Sequence, residues 1–98
     1  MTELNAYVVS YDICDPKRLC KVHRAMKGFG EPVHYSVFRC DLTPKGRAEM
    51  VTALADLISV ADDRVMIIDL GPKDGRVEER IEFMGAHPSE IERKFIIV

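Results

Sequence analysis

The chain has 98 residues, 47% of them hydrophobic and 31% charged, with a formal net charge of −2. That length holds one domain with one core, taken as residues 1–98, and the composition argues against disorder. No apolar run approaches the roughly 20 residues that cross a bilayer, and the opening Met1-Thr2-Glu3-Leu4-Asn5 lacks the layout of a secretory signal.

Charge is unevenly placed: basic residues gather in the first half and acidic ones in the second. A basic patch for phosphate is therefore compatible with an acidic protein. The three cysteines, Cys14, Cys20 and Cys40, are odd in number and form no C-x-x-C pair. Reduced thiols in the cytoplasm fit them better than disulfides or a zinc site.

Residues 5–12 predict a strand. Tyr7, Val8, Val9 and Tyr11 leave little polar alternation, so the expectation is a central strand covered on both faces. It ends on Asp12, a carboxylate that is costly near a core unless it is paired, hydrogen-bonded or metal-bound. Asp15-Pro16 then starts a helix, with an N-cap acceptor followed by proline at the first helical position. Leu19, Val22, Met26 and Phe29 form its apolar stripe, Lys17, Arg18, Lys21 and Arg24 occupy other faces, and Gly28 and Gly30 end it.

Residues 32–42 form a second β region, either one long strand or two joined by a bend. Val33, Tyr35 and Val37 alternate with His34, Ser36 and Phe38, and Cys40 and Leu42 continue the latter face. Thr43-Pro44 repeats the cap-plus-proline signal. Met50, Val51, Leu54, Leu57 and Ile58 give a second amphipathic helix, broken by Asp62-Asp63. Residues 64–70 read as a further strand and Gly71 to Gly75 as a loop. Ile81 to Met84 reads as a small strand. Lys94 to Val98 is strongly β-prone, so residues about 93–98 are expected to be a tail strand pairing with a sheet edge, the chain's own or a partner's.

The order strand–helix–strands–helix–strand is that of an α+β ferredoxin-like sandwich, βαββαβ plus a C-terminal strand, with two helices on one face of an antiparallel sheet. The other face would carry Tyr, Val and Ile side chains with no helix to bury them, and a homodimer through that face is the physical expectation.

The block from Tyr11 to Val22 (Y-D-I-x-D-x-x-R-x-x-K-V), the Phe29-Gly30 helix end, and His34 to Phe38 (H-Y-S-V-F) followed by Cys40 carry a family likeness. They resemble the smaller of the two universal CRISPR adaptation proteins over nearly the whole chain. The resemblance implies a ferredoxin-like homodimer with crossing tail strands and a metal-dependent endonuclease acting on RNA or duplex DNA. It also implies a bridge in spacer integration beside the larger adaptation integrase. By motif position it makes Asp12 the metal ligand and catalytic residue, facing its mate across the dimer axis.

Two facing carboxylates repel each other, and a magnesium ion or another divalent cation, needing only one or two protein carboxylates, removes that conflict. Lys17, Arg18 and Lys21, at the start of the first helix, could then hold flanking phosphates. Three other readings stay open. The first is a non-catalytic dimeric scaffold bridging integrase and protospacer DNA, and the second a toxin-type ribonuclease. The third is a small-molecule regulatory dimer, for which Gly71 to Gly75 is the candidate loop.

Several conspicuous residues have simpler readings. Asp15 is an N-cap, His34 an ordinary strand histidine, and Ser36 a packing residue with no His/Asp partner in view. Phe38 belongs to the core or the dimer interface. Cys14 and Cys20 lack the remaining ligands of a zinc site.

Overall fold

The computed structural model describes residues 3–85. The elements are β1 (Asn5–Asp12), α1 (Pro16–Met26), β2 (Glu31–His34), β3 (Val37–Leu42), α2 (Pro44–Leu57), β4 (Arg64–Pro72) and a single turn, α3 (Val77–Arg80). The four strands make one antiparallel sheet in the order β2-β3-β1-β4. This is the expected βαββαβ α+β arrangement. The tail strand expected at about 93–98 lies outside the described residues.

Both long helices begin where local chemistry demands. Asp15 accepts the Arg18 N–H at 2.9 Å, Thr43 accepts the Gly46 N–H at 3.0 Å, and Pro16 and Pro44 follow as first helical residues. Their apolar sides meet one face of the sheet. Val22 and Met26 from α1 and Met50 and Leu54 from α2 join Tyr7, Val9, Tyr11, Phe38, Cys40 and Leu42 in one buried cluster. Phe38 is its largest fully buried side chain, with its ring 6.2 Å from that of Tyr11 and 5.4 Å from that of His23.

The structure corrects several expectations. The β1 strand is central in the sheet, but in the single chain only one of its faces is covered. Tyr7, Val9 and Tyr11 are buried, while Val8 and Ser10 are only partly so. Leu19 is 37% exposed, so the core stripe of α1 begins one turn later, at Val22. Val51 is likewise exposed, which narrows the buried stripe of α2 to Met50 and Leu54, with Leu57 and Ile58 packed at its margin.

Residues 32–42 are two strands, with Tyr35 and Ser36 forming the turn of a hairpin. The expected loop from Gly71 begins two residues late, because β4 continues to Pro72, opposite Asn5. That extension passes through a bulge between Ala6 and Tyr7. Gly71 adopts φ +87° there, and its N–H donates to the Asp69 carboxylate at 2.8 Å. Residues 81–84 form no strand. The preceding four residues instead make α3, held by the Arg39–Glu78 ion pair at 2.6 Å and the buried Val77.

Gly30 marks the closest approach of chain segments. A Cβ there would stand 2.3 Å from the Arg39 carbonyl oxygen and 2.5 Å from Cys40 Sγ. Only glycine lets the link after α1 lie flat on β3.

Candidate active site at the end of the first strand

Asp12 closes β1, and its side chain is exposed. The strand is apolar up to Tyr11, yet its last residue has passed the rim of the core, so the carboxylate faces solvent rather than being buried as the sequence suggested. Among the described residues it has no hydrogen bond or ion pair. Its position is set through the backbone. On one side the Tyr11 N–H donates to the Ser36 carbonyl at 3.0 Å, tying the strand end to the hairpin turn. On the other, Ile13 is buried and the Cys14 N–H donates to Asp63 Oδ1 at 2.9 Å. Across the ladder Asp12 stands opposite Arg64, the first residue of β4, whose guanidinium is unpaired among the described residues.

Asp63 organises this end of the molecule. Its side chain is fully buried and accepts four hydrogen bonds: from Cys14 N–H, from Ser59 N–H at 2.7 Å, and from Arg18 Nε and Nη2 at 2.8 and 3.1 Å. The Arg18 hydrogen bonds hold its carboxyl well below the usual carboxylate range against the opposing effect of burial, with the Ser59 and Cys14 amides adding to the depression. The Cys14 thiol adds a bond to the Asp62 carbonyl at 2.9 Å. The loop after Asp12 is thus bound to the turn before β4 at several points.

The basic residues expected to meet phosphate divide into two groups. Arg18 points its fork at Asp63 and is engaged there. Lys17 and Lys21 are exposed and unpaired among the described residues, and Arg24 continues their row at the i, i+4, i+7 spacing of one helix face. Arg24 joins that row by a spacing that is already legible in the sequence. Arg64 was missed because only the β1–β4 register brings it opposite Asp12.

The remaining conspicuous residues have structural settings. His34 is exposed, with its ring 5.2 Å from that of Tyr35. Ser36 offers its carbonyl to Tyr11, and Phe38 is core. The three cysteines are free thiols, Cys14 and Cys20 exposed and Cys40 buried. The Tyr11 hydroxyl and His23 Nδ1 are hydrogen-bonded at 2.8 Å on the covered side of the sheet.

The uncovered side is apolar beside Asp12: the cross-strand pairs Val8–Ile68 and Ser10–Met66 lie on it, with Met66 51% and Ile68 41% exposed. Among the described residues no three His, Cys, Asp or Glu side chains converge on a metal position. At this strand end Asp12 offers a cation one carboxylate that is unencumbered among the described residues. That suits a largely hydrated magnesium ion and does not suit a closed zinc cage. Among the described residues no helix is long and apolar enough to cross a membrane.

Residues 5–76 match the family described as CRISPR associated protein Cas2. The chain is 42% identical over 94 residues to the CRISPR-associated endoribonuclease Cas2 1 of Rhodospirillum rubrum, covering 96% of this chain and 91% of that protein. It is 35% identical over 92 residues to the CRISPR-associated endoribonuclease Cas2 of Geobacter sulfurreducens, covering 94% and 96% respectively. The crystal structure of Streptococcus pyogenes Cas2 superposes with a TM-score of 0.72 at 29% identity, covering 82% of this chain and 99% of that one.

Proposed function

The chain belongs to the CRISPR-associated Cas2 family, and from that premise we propose that it is a magnesium-dependent endoribonuclease or endonuclease of CRISPR adaptation, with Asp12 as catalytic metal ligand. The observation that carries this reading is the exposed Asp12 carboxylate at the end of the central strand β1. It is bonded to nothing else among the described residues, and only three residues separate it from a helix that presents unpaired lysines. Curated relatives covering nearly the whole chain are named endoribonucleases, which supports the same activity here.

Each group then has a task. Asp12 would hold the cation at the end of β1. When bound, a divalent cation supplies charge neutralisation for the phosphorane-like transition state and a more acidic nucleophile. Lys17 and Lys21 hold flanking phosphates, so they set register along the strand without reading its bases. The apolar uncovered face around Val8, Met66 and Ile68 packs on a second copy. In such a dimer a second Asp12 would help to hold the cation. In the cell it works with the larger adaptation integrase during spacer integration.

The test is cleavage of RNA and duplex DNA by folded wild type and by Asp12→Asn, with magnesium and with chelator. Cutting by wild type with magnesium, lost in the variant and in chelator, is the expected outcome. Equal cutting by both proteins would sink the assignment of Asp12.

A second reading is favoured by the same lone carboxylate: among the described residues no three metal-ligating side chains converge, which suits a dimer that serves as a non-catalytic scaffold bridging the integrase and protospacer DNA. Spacer integration that survives Asp12→Asn supports it, and integration abolished by that change counts against it.

A further inference from the structure

We propose that Asp63 and Arg18 are positioning residues for Asp12, and that Arg18 acts through this pair rather than by holding phosphate. The inference rests on the metal reading given above and deepens it. It starts from a contrast. Asp12 has no side-chain partner among the described residues, so its direction depends wholly on the backbone that carries it. Two residues later that backbone is held by Asp63, through the Cys14 N–H at 2.9 Å. The same carboxylate receives the Ser59 N–H at 2.7 Å, which fixes the turn that leads into β4. The residue after Asp63 is Arg64, the register partner of Asp12. One buried side chain therefore fixes both strand ends at the site, reaching Cys14 from 49 positions away in sequence.

Arg18 completes the arrangement because a buried carboxylate needs a cation of matched shape. The Nε–Nη2 fork meets both carboxylate oxygens, a geometry that a lysine ammonium cannot reproduce. Its side chain is 30% exposed and that of Asp63 is not exposed at all. A phosphate would have to compete with two short bonds already made. Lys17 and Lys21, which have no such bonds among the described residues, take the phosphate role instead.

The experiment uses the full chain as wild type, Asp63→Asn, Arg18→Lys, Arg18→Gln, Lys17→Ala and Asp12→Asn, each assayed well below its own melting temperature. Manganese is the metal probe, with unbound ion followed by electron paramagnetic resonance. Groups that orient a ligand from behind typically control metal affinity by about 10- to 100-fold. Asp63→Asn and both Arg18 variants are expected to weaken manganese binding by about ten-fold. RNA binding, measured in the Asp12→Asn background so that nothing is cut, should keep its salt dependence when Arg18 is changed. Adding Lys17→Ala should reduce the slope by about one.

Wild-type manganese affinity in folded Asp63→Asn would overturn the proposal, and so would a reduced salt slope in Arg18→Gln with unchanged manganese binding. Wild type and Asp12→Asn binding manganese equally, or neither binding it, would overturn the metal reading itself. Hydrogen exchange then decides the clamp alone. The Cys14 amide should lose protection in Asp63→Asn while Val8 and Val9 keep theirs, and unchanged protection of Cys14 refutes it.

Discussion

Replacing Gly30 by alanine places a methyl group 2.3 Å from the Arg39 carbonyl oxygen and 2.5 Å from Cys40 Sγ. Both separations lie far inside van der Waals contact, and the nearer obstacle is backbone. Neither β3 nor the segment after α1 can turn a side chain away to relieve it. The β3 strand lies between β2 and β1, so any retreat also disturbs the strand that carries Asp12. Overpacking of this kind costs about 1–3 kcal/mol. In a domain of this size each kcal/mol lowers the melting temperature by about 4–8 °C, so the expected fall is about 4–24 °C. Gly28→Ala is the control, since its Cβ would meet only the Ala25 carbonyl, at 3.3 Å, at an exposed position. It should shift stability by no more than about 0.5 kcal/mol. Thermal unfolding followed by circular dichroism measures both. Adding Cys40→Ala removes the sulfur and leaves the carbonyl in place, so the double variant should melt no higher than Gly30→Ala. Equal melting of Gly30→Ala and Gly28→Ala would refute the steric argument, and rescue by Cys40→Ala would show that the sulfur was the wall.

Burial, and then the charge of Lys27, hold the His23 imidazolium pKa below its ordinary value of 6.5. The unfolded chain therefore takes up a proton at a higher pH than the folded one, so this contribution to stability is complete above about pH 6.5 and declines as pH falls toward the lowered folded value. Denaturant midpoints at about pH 7.5 and about pH 5.5 should separate more for wild type than for His23→Gln, and equal separations would contradict the assignment. Burial raises the Cys40 thiol to about 11, with Asp41 adding to the shift, and the side chain is fully buried. Thiol alkylation of the native protein should therefore reach Cys14 and Cys20 and spare Cys40, which intact-mass measurement checks and a rapid third addition would exclude. Phe38→Ala empties the largest buried position and should cost about 3–5 kcal/mol by urea unfolding; a loss below about 1 kcal/mol would mean that the core recloses around it.

What the sequence made legible was local. Asp15-Pro16 and Thr43-Pro44 announce helix starts because cap and first turn are within four residues of each other, and both helices begin there. The alternation through Phe38, Cys40 and Leu42 marks the covered face of β3 for the same reason. The motif picked out Asp12, but its exposure depends on where the core ends, which no local pattern states. Arg18 was read as a phosphate ligand because nothing near it in sequence claims its charge. Its partner lies 45 residues away and meets it only after α1 and β4 have docked. The α3 turn was invisible for a similar reason, since its hold on the sheet comes from Arg39 in β3 and from burial of Val77.

The turn between β2 and β3 bears on how this protein tolerates changes of length. The Tyr11 amide, next to Asp12, is received by the Ser36 carbonyl rather than by a residue of a regular strand. Two residues of turn put that carbonyl in place, so inserting or deleting one there would unfasten the end of β1 on its β3 side. Gly71 to Gly75 leads away from Asp12, at the opposite end of β4 from Arg64. Affinity tags and inserted reporters therefore belong near Lys73 to Gly75. The hairpin at Tyr35 and Ser36 should keep its length.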